Sequence, residues 1–279
     1  PTHVKLGLAL RTMGPQATAP FVAACARAAE AEGADELWVP DHLAIPPDDA
    51  EGSEGHYLDP LATLAYLAAA TEHIGLGTGV LNLPYRPALP TAKWVATIQE
   101  LSGGRLRLGV GVGWMRAEFR ALGVERRRRG ALTDETLAFL RRCLGADAGA
   151  EDGDVVESHG QPFLFRPRPP APPVFVGGGP PHALERAARL GEGWMPVGAA
   201  DPEALRPHVD TLQRRAREAG RGPLEVVCMT RLPLDDAERA RELLAGLAEV
   251  GVTRVAHGDR VADAAGFARM AGQLVALRP

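Results

Sequence analysis

His42 has the neighbours of a residue that does chemistry. It ends the run Val39-Pro40-Asp41-His42 and is followed by a stretch from Leu43 to Leu58 that carries two more prolines and several acids. A loop of that length in a compact domain commonly acts as a lid or a binding segment. A histidine beneath it can donate or accept a proton, or hydrogen-bond a charged ring. The plainer alternative is that Asp41 and His42 only cap a turn.

Glycine supplies the second pattern. Gly75, Gly77 and Gly79 alternate before Asn82, and Gly109, Gly111 and Gly113 alternate before Trp114. Alternate glycines thin one face of a strand, so that a flat ligand or another backbone can approach, or they simply fit the layers of a barrel interior. Trp114 can wall a planar ligand or cover a core. Gly177, Gly178 and Gly179 run into Pro180 and Pro181, and such a turn at a helix start can present backbone N–H groups to a phosphate, although glycine turns of this kind also occur with no ligand. The run Arg126 to Arg129 is either a solvated face or an anchor for a polyanionic cofactor tail.

These residues fall between elements that alternate along the chain. Apolar strands are expected at Val4–Leu10, Leu37–Val39, Ile74–Leu81, Leu106–Val112, Val174–Val176, Trp194–Val197, Leu224–Thr230 and Val252–Ala256. Helical spacing fills the gaps between them, with Asp59-Pro60 and Asp201-Pro202 as cap pairs, Gly33 as a helix stop, and one helix from Thr133 to Leu144. Strict strand–helix alternation of this length predicts a single (β/α)8 TIM barrel over residues 1–279 rather than an open doubly wound sheet, which would want a GxGxxG turn after its first strand. A Gly/Pro-rich insertion at about 145–173 precedes the fifth strand; Val155, Val156, Phe163 and Phe165 suggest a small hairpin inside it.

In a barrel the chemistry lies at the carboxyl ends of the strands, which is where His42, Trp114 and the glycine turn fall. Lys5 and Lys93 are the only lysines; one starts a strand and the other lies in a helix, so Schiff-base chemistry is excluded. No HxH metal pair and no GxSxG nucleophile turn is present, and Cys25, Cys143 and Cys228 stand apart without CxxC spacing, so no metal site is expected. A barrel mouth with thinned walls, one histidine and neither nucleophile nor metal points to a bound organic cofactor. With 35 acidic against 31 basic residues, bulk charge offers no reason to bind nucleic acid. No apolar run approaches the roughly 18 residues of a membrane span and no secretory leader is apparent, so a cytoplasmic protein is expected.

Taken in series, Pro40-Asp41-His42, Gly77-Thr78-Gly79-Val80-Leu81, Leu101-Ser102-Gly103-Gly104-Arg105 leading to Gly109-Val110-Gly111-Val112-Gly113-Trp114, Glu118-Phe119, Leu122-Gly123, Val176-Gly177-Gly178-Gly179 and Gly191-Glu192-Gly193-Trp194 resemble the bacterial luciferase-like monooxygenase superfamily. Within it they look closest to the branch that uses the deazaflavin coenzyme F420. The resemblance runs from about residue 4 to residue 200. It implies a cofactor ring in the barrel mouth, His42 as the active-site histidine and Asp41 as a neighbour contacting the cofactor. It also implies a strand-three bulge at Gly79 and Val80, often with a non-prolyl cis peptide, with Asn82 nearby. Gly177, Gly178 and Gly179 match the cofactor phosphate loop, and Val197 with Gly198 the adjoining contact after strand six. Trp114 stands where sugar-phosphate dehydrogenases of the family carry a catalytic glutamate, which favours an apolar or aromatic substrate.

The function expected on this basis is hydride transfer between reduced F420 and a small organic substrate. The alternatives are an FMN-dependent monooxygenase supplied with reduced flavin by a separate reductase, and a flavin-binding barrel without catalysis. The resemblance further implies a homodimer.

Overall fold

The computed structural model describes residues 4–50, 52–144, 154–198 and 200–278. In chain order its elements begin with β1 (Lys5–Ala9), α1 (Ala19–Ala31), β2 (Glu36–Val39), α2 (Pro60–Ala70), β3 (Gly75–Asn82), α3 (Ala88–Leu101) and β4 (Leu106–Gly111). Then come α4 (Arg116–Ala121), α5 (Arg129–Cys143) and the hairpin strands β5 (Val155–Ser158) and β6 (Gln161–Leu164). The last elements are β7 (Val174–Gly177), α6 (His182–Leu190), β8 (Gly193–Met195), α7 (Pro202–Glu218), β9 (Glu225–Thr230), α8 (Ala237–Glu249), β10 (Arg254–His257) and α9 (Ala264–Val275). Eight parallel strands close in the order β1-β10-β9-β8-β7-β4-β3-β2, the (β/α)8 barrel expected of the alternation, and β5 pairs antiparallel with β6 outside it. Of the expected insertion, residues 145–153 lie outside the described ones. No helix among the described residues is long and apolar enough to cross a membrane.

Local chemistry accounts for most of the boundaries. The Asp59 carboxylate accepts the Ala62 N–H at 3.0 Å and Asp201 accepts that of Glu203 at 3.0 Å, so each satisfies a backbone donor that the first turn of its helix leaves over. Gly33 follows α1 with φ of 83°, a left-handed conformation that glycine adopts without a Cβ clash. Most boundaries fall within one or two residues of expectation, and three departures have a local reason. Helix α5 starts at Arg129, not Thr133: the Thr133 hydroxyl donates back to the Arg129 carbonyl one turn earlier at 2.8 Å, inside the helix. Strand β8 stops at Met195 because Pro196 has no N–H for the ladder, leaving Val197 and Gly198 beyond the sheet. The short helix α4 is an addition, too brief to show periodicity.

Inside the barrel, Trp38, Phe175, Met195, Val227 and Ala256 form the apolar filling, with the Trp38 and Phe175 rings edge to face at 6.0 Å. Below them, at the amino-terminal ends of the strands, Arg254 donates to both carboxylate oxygens of Glu225 at 2.6 and 3.0 Å and to Glu36. Burial works to raise the Glu36 pKa, opposed by Arg254 and Arg107. The larger core lies between the strands and the helices.

Close packing explains the alternate glycines. A Cβ on Gly77 would strike the Trp38 ring, and one on Gly109 would collide with the Thr78 carbonyl oxygen. Thr78 Oγ1 donates to the Gly109 carbonyl at 2.6 Å, tying the two strands at that level. Because the obstacle at Gly109 is backbone, relaxation is restricted. Gly109→Ala is expected to destabilise the fold by about 3 kcal/mol, at the upper end of ordinary overpacking. Gly179→Ala, where a Cβ meets nothing within 4 Å, should stay within about 0.5 kcal/mol of the parent. Urea denaturation midpoints of the two variants check this, and equal midpoints would refute the packing argument.

Candidate active site

The site begins where β2 ends. Asp41 is buried, and its carboxylate takes both Nη atoms of Arg86 at 2.8 Å each and the backbone N–H of Asn82 at 2.8 Å. Asn82 returns its side-chain amide to the Asp41 carbonyl at 3.1 Å, and Arg86 Nη2 also reaches the Asp59 cap at 2.8 Å. The ends of β2 and β3 and the start of α2 are thereby fixed to one another. Although burial of Arg86 opposes its charge, Asp41 and Asp59 hold it firmly protonated. The structure thus places Asp41 and Asn82 in a clamp behind the mouth, with both carboxylate oxygens of Asp41 bonded to protein.

His42 is one residue further on, and its partner is Glu118, fully buried in α4. The Glu118 carboxylate receives His42 Nδ1 at 3.2 Å, the Tyr85 hydroxyl at 2.7 Å, and the backbone N–H groups of Leu43 and Ala44 at 2.6 and 3.2 Å. Burial alone would raise the Glu118 pKa, but the hydrogen bonds from His42, Leu43, Tyr85 and Ala44 outweigh it and hold the carboxyl at about 2. Burial and the same hydrogen bond push the Tyr85 phenol up. An ionised carboxylate only accepts, so His42 Nδ1 must carry the proton and Nε2 is the ring nitrogen left to take or give one. Tyr57 and Trp114 meet the imidazole edge to face at 5.3 and 6.2 Å, and Trp114 is 65% exposed.

Strand β3 departs from regular pairing between Thr78 and Leu81, and the Gly79–Val80 peptide is cis. This is the irregularity implied at Gly79 and Val80. Val80 lies against Gly111 and Gly177, where Cβ atoms would come within 2.6 and 2.8 Å of its methyl groups. Gly79 opens on a cavity of about 370 Å³ in the barrel mouth, floored by Trp38 and Met229 and bounded by Pro40, Leu10, Arg11 and Arg260.

On the opposite side, Gly178 has φ of 133°, donates its N–H to the Met195 carbonyl at 3.1 Å, and accepts the Trp194 indole N–H at 2.8 Å. Gly177 therefore serves strand packing, Gly178 is pinned, and Gly179 is the member of the turn with open space beside it. Adjacent to the start of α6 is a recess of about 410 Å³ whose cations are Arg127, Arg129, Arg186 and Arg189, with His182 on its wall. Arg186 and Arg189 share Asp134, at 2.5 and 3.7 Å, whereas Arg127 has no side-chain partner among the described residues. Arg128 instead faces Glu135 at 3.5 Å, outside the recess. Val197, 78% exposed, and Gly198, with φ of 101°, stand beyond β8.

A flat tricycle bearing a phosphorylated tail fits these features: a ring-sized cavity against a glycine backbone, an open glycine at a helix start, and unneutralised arginine beyond it. Sequence reasoning missed Glu118, Tyr85 and Arg86 as site residues. The available signal was an acid beside Phe119 shortly after a barrel strand, but only the fold shows that it turns back beneath His42.

The luciferase-like monooxygenase family model matches residues 5–275, and the chain belongs to that family of oxidoreductases. A 5,10-methylenetetrahydromethanopterin reductase of Methanolobus tindarius is 32% identical over 205 residues, covering 74% of this chain and 58% of that protein, so the matched stretch spans little more than half of the reductase. Among solved structures, an F420-dependent secondary alcohol dehydrogenase in complex with an F420-acetone adduct superposes with TM-score 0.80 at 18% identity, covering 99% of this chain and 100% of the other. The oxygenating constituent of 3,6-diketocamphane monooxygenase from Pseudomonas putida, in complex with FMN, superposes with TM-score 0.75 at 14% identity, covering 98% and 97%. At these identities the likeness is one of fold.

Glu118 carries a pH prediction. Its carboxyl titrates near 4.5 ordinarily but at about 2 in the fold, so the unfolded chain binds the proton first as pH falls. The stabilisation is complete above about pH 4.5 and is lost as pH drops toward 2. A shift of this size is worth about 3 kcal/mol. Glu118→Gln is expected to lower stability by about that much at pH 7 and to flatten the stability profile between pH 4.5 and 2. Thermal melts across that range decide the matter; a variant with the parent's acid slope would show that Glu118 is not the group responsible.

Proposed function

We propose that this chain moves a hydride between reduced coenzyme F420 and a small organic substrate, with His42 exchanging the balancing proton through Nε2. When bound, the reduced deazaflavin supplies the hydride. The protein supplies the rest. The Gly79–Val80 backbone and the Trp38–Met229 floor seat the ring; the turn at Gly179 and the recess beyond it receive the phosphate and its acidic extension. In reduction of a carbonyl, carbon takes the hydride and oxygen takes a proton from His42; in the reverse direction, His42 takes the hydroxyl proton. Glu118 steadies the imidazole, since its hydrogen bond with Nδ1 orients the ring.

The observation that carries F420 rather than FMN is the arginine recess beside the glycine turn. FMN ends at its phosphate and has nothing to place there, whereas the deazaflavin continues into an acidic tail. The F420 adduct in the structural neighbour agrees with this reading.

Fluorescence titration is expected to give tighter binding of F420 than of FMN. Arg127→Glu combined with Arg129→Glu should weaken F420 at least about tenfold and FMN little, with the difference shrinking as salt rises. Oxygen consumption with reduced FMN, and no affinity for F420, would move the chain to the monooxygenase reading. Separately, His42→Ala is expected to reduce turnover with reduced F420 by at least about a hundredfold at nearly unchanged cofactor affinity. Parent-like turnover in stopped-flow assays would remove His42 from the chemistry.

A further inference from the structure

A larger space adjoins the cavity at the mouth. Between α8 and α9, where the chain leaves β9 and β10, lies a cleft of about 910 Å³. Asp259 and Arg260 border both this cleft and the 370 Å³ mouth cavity, so one loop is the common wall. The carboxyl ends of the last two strands are a frequent place for ligand groups in barrel enzymes. The volume is that of a small-molecule site.

The cleft floor is apolar, formed by Leu232, Leu243, Val261 and Met270. One polar group interrupts it: His257, the buried last residue of β10. Its Nδ1 accepts the Leu232 N–H at 3.0 Å, so in the neutral ring Nε2 bears the proton, and that N–H has no acceptor among the described residues. Burial lowers the His257 pKa to about 4, which keeps the ring neutral near pH 7. Of the charges at the shared wall, Arg231 and Asp259 neutralise each other at 2.8 Å, whereas Arg260 has no ion-pair partner among the described residues. Farther out, Arg239 sits with the two carboxylates Asp235 and Glu242, which leaves that part of the lining with one negative charge in excess. The β10 end of the cleft therefore offers two donors, the His257 Nε2–H and the Arg260 guanidinium, while the acceptors of the lining, Asp235, Glu242 and Gln273, belong to the segments of α8 and α9. Both donors face the open cleft, where a ligand oxygen can accept from them.

We propose that the cleft binds an amphipathic organic acid, its carboxylate at Arg260 with the His257 N–H as second donor and its apolar chain along Leu232, Leu243, Val261 and Met270. The proposal rests on the hydride-transfer reading and narrows its substrate to an acid whose reacting carbon enters the mouth cavity past the shared wall. Small apolar compounds alone would leave both donors unanswered.

Isothermal calorimetry on the intact chain with decanoate, decanol and acetate separates the contributions of charge and chain. Decanoate is expected to bind at least tenfold more tightly than either of the others. Arg260→Ala should remove that advantage and leave decanol unchanged, while Arg260→Lys restores part of it. Leu243→Trp, which fills the floor, should weaken decanoate and decanol alike. Decanoate no tighter than decanol, or unaffected by Arg260→Ala, overturns the proposal. F420 titration of the same preparation keeps the two readings apart: F420 binding without decanoate selectivity rejects the cleft alone, and decanoate selectivity without F420 binding supports the cleft's ligand class while rejecting the cofactor.

Discussion

A single buried negative charge organises the candidate site. Glu118, on α4, gathers four donors from two other parts of the chain: His42 with the first two residues of the following loop, and Tyr85 beyond β3. Removing any one donor leaves the carboxylate less compensated, and removing the carboxylate leaves buried donors without an acceptor. Histidine orientation, loop attachment and the packing of the α4 turn are consequently one problem with one solution. The second clamp, Asp41 with Arg86, Asn82 and Asp59, repeats this economy on the neighbouring strand ends.

The two ends of the barrel use charge differently. At the amino-terminal end, Arg254, Glu36 and Glu225 answer one another and close the floor. At the carboxyl end, the buried carboxylates Asp41 and Glu118 each accept several hydrogen bonds, and Arg127 beside the glycine turn and Arg260 at the wall between the two cavities have no ion-pair partner among the described residues. Unpaired cations on the ligand side and balanced pairs on the other are what a site for anionic molecules requires, because a bound anion completes the pairing only at the face where it arrives.

The glycine pattern connects packing with function. Gly77 and Gly109 make room for Trp38 and for the Thr78 carbonyl, which allows the interior to be filled by large rings while β3 breaks step. Val80 then occupies the space left by Gly111 and Gly177, and Gly79 turns its bare backbone toward the mouth. Gly79 is itself a place of close contact, since a Cβ there would come within 2.5 Å of Met229 Sδ.

Strand–helix alternation, the Asp caps and the alternate glycines are local signals, since each depends on residues within a turn or a strand, and from them the sequence by itself determined the closed barrel and the placing of His42 and the glycine turn at its carboxyl end. Family resemblance supplied the irregularity at Gly79 and Val80. Tertiary structure alone decided which side chains His42 meets. Glu118 lies 76 residues away in sequence, and Tyr85 reaches that carboxylate from a third segment. It also decided that Asp41 and Asn82 brace each other behind the mouth, and that Arg127 and Arg129, but not Arg128, face the recess near Gly179. The physical reason is range. A cap or a close strand contact is written in neighbouring residues, whereas the partner of a buried charge is selected by the closure of the barrel, which brings distant strand ends to one rim and excludes the water that would otherwise have served any partner equally well.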